Sequence, residues 1–265
     1  MVYSNNFFKN GAGTIRTIEC QTYSPTVFAL DRSGSEETLM SNGKSRFQNA
    51  VDEFEKMLQK LGANETLAEN IHLTVLLFGG EQVECVMDGV ALCDVKIAEL
   101  CQHLRAQRCS GRTPMGRCIV DAIDRLDAAK EKARQAQIEY AQPVLCMLTD
   151  GEANDDLTEA KRRMDELANV NGQQKLVPVF LGVGEKGVKF PQLDMLLEKY
   201  GEEVYVATSA EDIPKLFRFL GKTVRAVSKG QYVVPTSQFG KVRTIAENAA
   251  RGARPGMPYQ VGGEY

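Results

Sequence analysis

Two histidines leave this chain short of the usual general base of a hydrolase, and no Cys-x-x-Cys pair offers the spacing of a zinc site. The seven cysteines, at 20, 85, 93, 101, 109, 118 and 146, are odd in number, which argues against a disulfide framework. Cys85, Cys93, Cys101 and Cys109 recur every eight residues. That spacing is no zinc signature, and the four are expected on different elements as small buried hydrophobic residues. No apolar run approaches the ~18 residues of a membrane span. The start, Met1-Val2-Tyr3-Ser4-Asn5-Asn6, has neither a charged n-region nor an apolar h-region, so no signal peptide is read there. A cytoplasmic chain with no membrane partner is expected. Basic excess is missing too: 32 basic against 35 acidic residues give a net charge of −3, which argues against nucleic acid as a partner. There is no P-loop. Gly182-Val183-Gly184 is no dinucleotide fingerprint either, because the next glycine, Gly187, falls in a loop and not at a helix start.

What is present is an alternation of apolar strands and amphipathic helices. Thr26–Leu30, Ile71–Phe78, Val144–Leu148 and Leu176–Val183 are continuous apolar runs typical of buried parallel strands. Gln82–Met87 follows Gly79-Gly80 closely and predicts a hairpin with the strand before it. Phe47, Val51, Phe54, Leu58 and Leu61 mark one face of a helix over about 44–61, stopped by Gly62. Asp94–Gln107, a helix opened by Thr113 as N-cap with Pro114 at its first position, Asp155–Asn169, Leu193–Tyr200 and a last helix from about Ala210 follow. Glu203–Ala207 reads as a short strand, and Glu36 to Gly43 as a loop. The pattern predicts an α/β fold: a Rossmann-like, doubly wound, mostly parallel sheet with one antiparallel edge strand and helices on both faces. Residues 1–23 read as an N-terminal extension, with a possible edge strand over Thr14–Cys20, and 24–228 as the domain. Residues 229–265 are a Gly/Pro-rich tail with five basic and two acidic side chains, either disordered or an arm over a surface. Within it, Tyr232–Val234 and Ile245–Ala250 carry weak strand and helix signals.

The chemistry lies at the carboxyl ends of the strands, where open α/β sheets bind ligands. Asp31-Arg32-Ser33-Gly34-Ser35 follows the first strand, Thr113 stands in a middle loop, and Asp150 follows Val144–Leu148 and Thr149. Two carboxylates and three hydroxyls are hard oxygen donors suited to a small divalent cation. These segments resemble the metal-ion-dependent adhesion site of the von Willebrand factor A domain family. The matching motifs are Asp31-x-Ser33-x-Ser35, the Thr113-Pro114-x-Gly116 loop and Leu148-Thr149-Asp150-Gly151-Glu152. The form of the last two looks most like bacterial intracellular TerY-like members, associated with tellurium resistance and stress systems.

The resemblance implies Ser33, Ser35 and Thr113 as hydroxyl ligands, with Asp31 and Asp150 binding directly or orienting waters. The ion would be Mg²⁺, with Mn²⁺ or Ca²⁺ as alternatives. One position would remain for an outside oxygen, in this family usually an Asp or Glu of a protein partner. Two carboxylates leave a +2 ion electrophilic toward a third. The implied function is a non-catalytic, metal-dependent interaction module working with a kinase, a phosphatase or an AAA+ ATPase. The alternative is a metal-dependent phosphohydrolase with Asp31 as nucleophile, but Ser33 stands where the second acid of an Asp-x-Asp phosphatase motif is needed. Arg32, Glu36, Glu37 and Arg112 depart from common family forms and are expected on the rim. There the two arginines pair with Glu36, Glu37 or Glu152, point to solvent, or meet a partner's second carboxylate or a phosphate. Asp155 and Asp156 are expected to cap a helix.

Overall fold

The computed structural model describes residues 22–168, 174–185 and 187–230, together with the backbone of 233–235 and 242–244. In chain order the elements are β1 (Thr22–Asp31), α1 (Arg46–Gly62), α2 (Glu65–Asn70), β2 (Ile71–Gly79), β3 (Gln82–Ala91) and α3 (Ile97–Arg105). Next come α4 (Met115–Ala136), β4 (Glu139–Tyr140), β5 (Val144–Thr149), α5 (Thr158–Ala168) and β6 (Val177–Val183). The chain continues through α6 (Pro191–Leu197), β7 (Tyr205–Ala207), α7 (Ile213–Ser228) and the short pair β8 (Val233–Pro235) and β9 (Val242–Thr244). The possible strand at Thr14–Cys20 and the weak helix at Ile245–Ala250 lie outside the described residues.

The sheet runs β3-β2-β1-β5-β6-β7, with β4 paired to the start of β1. All its pairings are parallel except β2 with β3, which form the expected hairpin at one edge. Alternate residues of the central strands serve two separate cores. Phe28 and Leu30 of β1, with Leu73, Val75 and Leu77 of β2, pack under α1, α3 and α7. Val27 and Ala29, with Leu76 and Phe78, pack under α4, α5 and α6. Every residue of the stripe predicted for α1 is buried, as are Ile119, Ile123 and Leu126 of α4. At ~1.5–3 kcal/mol for each large side chain fully buried, these stripes fix which face each helix turns inward. Among the described residues no helix is long and apolar enough to cross a membrane.

Several local expectations need correction. The helix after Thr113 begins at Met115, with Pro114 as N-cap, and the Thr113 hydroxyl makes no capping bond. The capping acceptor comes from elsewhere: Asp155 Oδ1 and Oδ2 accept the Gly116 and Arg117 N–H groups at 3.0 and 2.9 Å. Asp156 accepts the Thr158 N–H at the start of α5. Thus the two acids do cap, but Asp155 caps across the fold and ties the Asp150 loop to α4. Gly62 does not stop α1 but forms its last residue, followed by the cap Ala63. The spaced cysteines do fall on different elements, and Cys101 and Cys109 are buried, but Cys93 is exposed and Cys85 half-buried. Burial pushes the Cys101 and Cys109 thiols up to about 12, which leaves them inert.

Candidate metal centre

Leu30 and Leu148 are in register, so Asp31 and Thr149 end neighbouring strands side by side. Asp31 is fully buried. Its Oδ1 accepts the Ser33 N–H at 2.7 Å, and its Oδ2 accepts the Thr149 hydroxyl at 2.5 Å. The chain then folds back in one 3-10 turn, Gly34–Glu37. This turn sets Ser33 Oγ 3.1 Å from Ser35 Oγ, which donates to Asp150 Oδ1 at 2.6 Å. Four of the five expected residues are therefore joined by one run of hydrogen bonds.

Thr113 reaches the same place through backbone stitching. The Ser110 N–H donates to the Arg32 carbonyl at 2.9 Å, and the Gly34 N–H to the Gly111 carbonyl at 3.2 Å. Gly111 has φ +70°, and a Cβ there would lie 2.6 Å from Gly80 Cα, so only glycine lets the two loops meet. Thr113 also exchanges hydrogen bonds with Asn154: its N–H donates to Asn154 Oδ1, and its carbonyl accepts the Asn154 N–H. A Cβ on Gly151 would lie 3.5 Å from Thr113 Oγ1 and 3.7 Å from Ser35 Oγ, so both hydroxyls flank one point beside Asp150. All five residues converge.

Two side chains absent from the sequence-based set share the site. Glu36, expected on the rim, is fully buried. Oxygens of Asp31, Glu36 and Asp150 lie within 4.8 Å of one another. Neither carboxylate oxygen of Glu36 has a hydrogen-bond partner. The Asp150 N–H leans toward it and favours its charge slightly without closing a bond. Arg46, the first residue of α1, donates through Nη1 to Asp150 Oδ2 from a mostly buried position. The sequence does carry a signal for Glu36, an acid where other members hold an apolar residue, but sequence alone does not show which way it turns. For Arg46 no motif position gives one.

Burial is the main reason that the Asp31 carboxyl is raised to about 6, against the pull of its bonds from Thr149 and Ser33. Burial, then the charges of Asp150 and Asp31, push Glu36 well above the ordinary range, and Arg46 opposes this. Buried carboxylates this close, one of them without a partner, are costly unless a cation joins them. Three carboxylates and three hydroxyls, all hard oxygen donors, suit a small divalent ion.

Of the two rim arginines, Arg112 is exposed, one of the expected outcomes, while Arg32 finds partners that were not expected. Arg32 turns away to Glu84 at 3.1 Å and to Gln107 Oε1 at 2.9 Å. A Cβ on Gly79 would strike the carbonyl and Cγ of Arg32, so the strand end requires glycine there. Arg112, Glu37 and Glu152 are exposed. His72 stacks on Tyr23 beside the start of β1, at the far end of the sheet. His103 contacts the Gln107 amide. Neither histidine is a base for this centre.

Comparison with solved structures supports the same architecture. A von Willebrand factor type A protein from Catenulispora acidiphila matches 80% of this chain at TM-score 0.58 and 16% identity. The chain spans only 44% of the length of that protein. The SpRpn10 VWA domain matches 74% of the chain, and 94% of its own length, at TM-score 0.52 and 13% identity. The D319A mutant of the PilB minor pilin from Streptococcus sanguinis matches 79% of this chain and 63% of its own, at TM-score 0.54 and 15% identity. Likeness at these identities concerns the fold alone. No curated protein matches the chain. The family model for the von Willebrand factor type A domain matches residues 26–219, which include β1 from Thr26 onward, the Thr113 loop and the Asp150 turn. Sheet order, site position and this match agree: the chain belongs to the von Willebrand factor type A domain family.

Proposed function

We propose that this protein is a metal-dependent protein-binding module, in which Asp31, Ser33, Ser35, Thr113 and Asp150 hold a divalent cation, Mg²⁺ or Mn²⁺ in preference to Ca²⁺. The observation that carries the reading is the convergence of these five oxygen-bearing side chains from three separate loops on one point at the carboxyl edge of the sheet. When bound, the ion supplies an electrophilic centre for a partner's carboxylate. The chain's own residues bind and orient it: Asp31 is held by Ser33 and Thr149, and Asp155 and Asn154 hold the loops together. The same reading takes 24–228 as the binding domain and 229–265 as a tail.

A binding role is favoured over catalysis. Both oxygens of Asp31 are engaged and the residue is fully buried, which suits a fixed ligand and not a nucleophile. No histidine stands near enough to act as general base. This weighs against the phosphohydrolase reading. The Thr113-Pro114-x-Gly116 and Leu148-Thr149-Asp150-Gly151-Glu152 forms support a place among bacterial TerY-like stress proteins, with a kinase, phosphatase or AAA+ ATPase partner. The test is a pull-down from native lysate with Mg²⁺, with EDTA, and with Asp31→Ala. A protein retained only by wild type with metal supports the module and names its pathway. Equal retention in all three arms rejects the metal-dependent contact.

A further inference from the structure

The strongest unexplained feature is Glu36. A fully buried carboxylate with neither oxygen hydrogen-bonded is rare, because such a group forfeits its hydration without a replacement. It does not point into apolar core. Its oxygen lies within 4.8 Å of oxygens of both Asp31 and Asp150, on the inner side of the turn that carries Ser33 and Ser35. We infer that Glu36 is a third carboxylate of the metal centre and supplies from within the chain the acid that a partner otherwise brings. This inference rests on the proposed cation site.

Charge supports the assignment. Asp31, Glu36 and Asp150 carry three negative charges when ionised, and Arg46 offsets one of them at Asp150. The remaining two match one divalent cation. Without Glu36, the same ion and arginine would leave the centre with an excess positive charge, the condition that draws in an outside carboxylate. Donor count agrees. Three carboxylates and the hydroxyls of Ser33, Ser35 and Thr113 offer six oxygens, the number Mg²⁺ takes. The centre is therefore self-sufficient for metal, and an acidic partner has to compete with Glu36.

Mn²⁺ alone is the probe, titrated calorimetrically into the full chain as wild type, Glu36→Gln and Asp31→Asn. Wild type is expected to bind one ion, and Asp31→Asn to lose it. Glu36→Gln is expected to bind roughly 10- to 100-fold more weakly, a loss typical of removing a group that supports a metal site. In EDTA, Glu36→Gln is expected to melt higher than wild type, since a neutral amide replaces an unpartnered buried acid. That gain shows that the variant folds. Wild-type affinity in Glu36→Gln, with binding still lost in Asp31→Asn, overturns this inference and leaves the proposed cation site standing. No Mn²⁺ binding by wild type overturns both.

Discussion

Asp31→Asn is expected to abolish the thermal stabilisation that Mg²⁺ or Mn²⁺ gives this protein. An ion present at about 100 times its dissociation constant adds ~2.7 kcal/mol to the folded state. In a domain of this size that raises the melting temperature by roughly 5–10 °C. Asn keeps the volume of Asp31 and an oxygen for the Ser33 N–H, and the Thr149 hydroxyl can turn to accept from the amide. The variant therefore keeps the hydrogen bonds of the turn while losing the charge. Alanine is the less clean probe, because it strands the Ser33 N–H and the Thr149 hydroxyl in a fully buried pocket at ~1–3 kcal/mol each. Differential scanning calorimetry with Mg²⁺ and with EDTA reads the effect. An Asp31→Asn protein that still gains several degrees from metal removes Asp31 from the centre.

The second large effect is the response of the metal-free protein to pH. The Asp31 carboxyl is raised from 3.8 to about 6 in the fold, and Glu36 is raised well above its ordinary value, both chiefly by burial. A group that holds its proton more tightly folded than unfolded stabilises the fold below its unfolded value. That contribution is lost as pH rises through the folded value. In EDTA, Asp31 alone thus removes on the order of 3 kcal/mol between about pH 4 and pH 7. Carboxylates such as Asp52 and Asp165 are lowered through bonds to Lys44, Arg105, Lys161 and Lys199, and act in the opposite direction. They are common to both arms of a comparison with and without metal. The expected result is a gap in melting temperature between Mg²⁺ and EDTA that is small near pH 4.5 and widens through pH 7.5. A gap that stays constant over this range means that neither Asp31 nor Glu36 is joined to the ion.

The α/β architecture, one sheet with helices on both faces, was legible because its signals are periodic. The α1 stripe of Phe47, Val51, Phe54, Leu58 and Leu61 repeats long enough to define a face, and the β5 and β6 runs are apolar throughout. The elements missed are those too short to show a period. Helix α2 is a six-residue turn held by the Asn64 side chain on the Leu67 N–H, and β4 has two residues. Strand β1 begins earlier than expected, at Thr22, across Pro25. Pro25 is in register with His72 of β2 on one side, but on the other side β4 pairs with Thr22 and Tyr23 and β5 only from Thr26, so there the proline falls in a gap between partners.

The convergence of the five expected residues could be anticipated because their loops carry motif spacing. Glu36 could not be placed, since its direction depends on a 3-10 turn whose neighbours arrive from β5 and α1. Arg46 depends in the same way on how α1 meets the Asp150 turn. Both contacts are tertiary, and each alters the charge of the centre by a full unit. The two side chains that most change the charge of the site are thus two whose placement no local pattern gives.

The central claim is that three loops enclose one divalent cation at the carboxyl edge of the sheet. A crystal structure of the full chain grown with Mn²⁺, with an anomalous difference map recorded, tests it most directly. The account predicts a single strong peak among the oxygens of Asp31, Ser33, Ser35, Thr113 and Asp150, with a Glu36 oxygen against it. A map with no peak there, at Mn²⁺ concentrations that occupy other surface carboxylates, contradicts it.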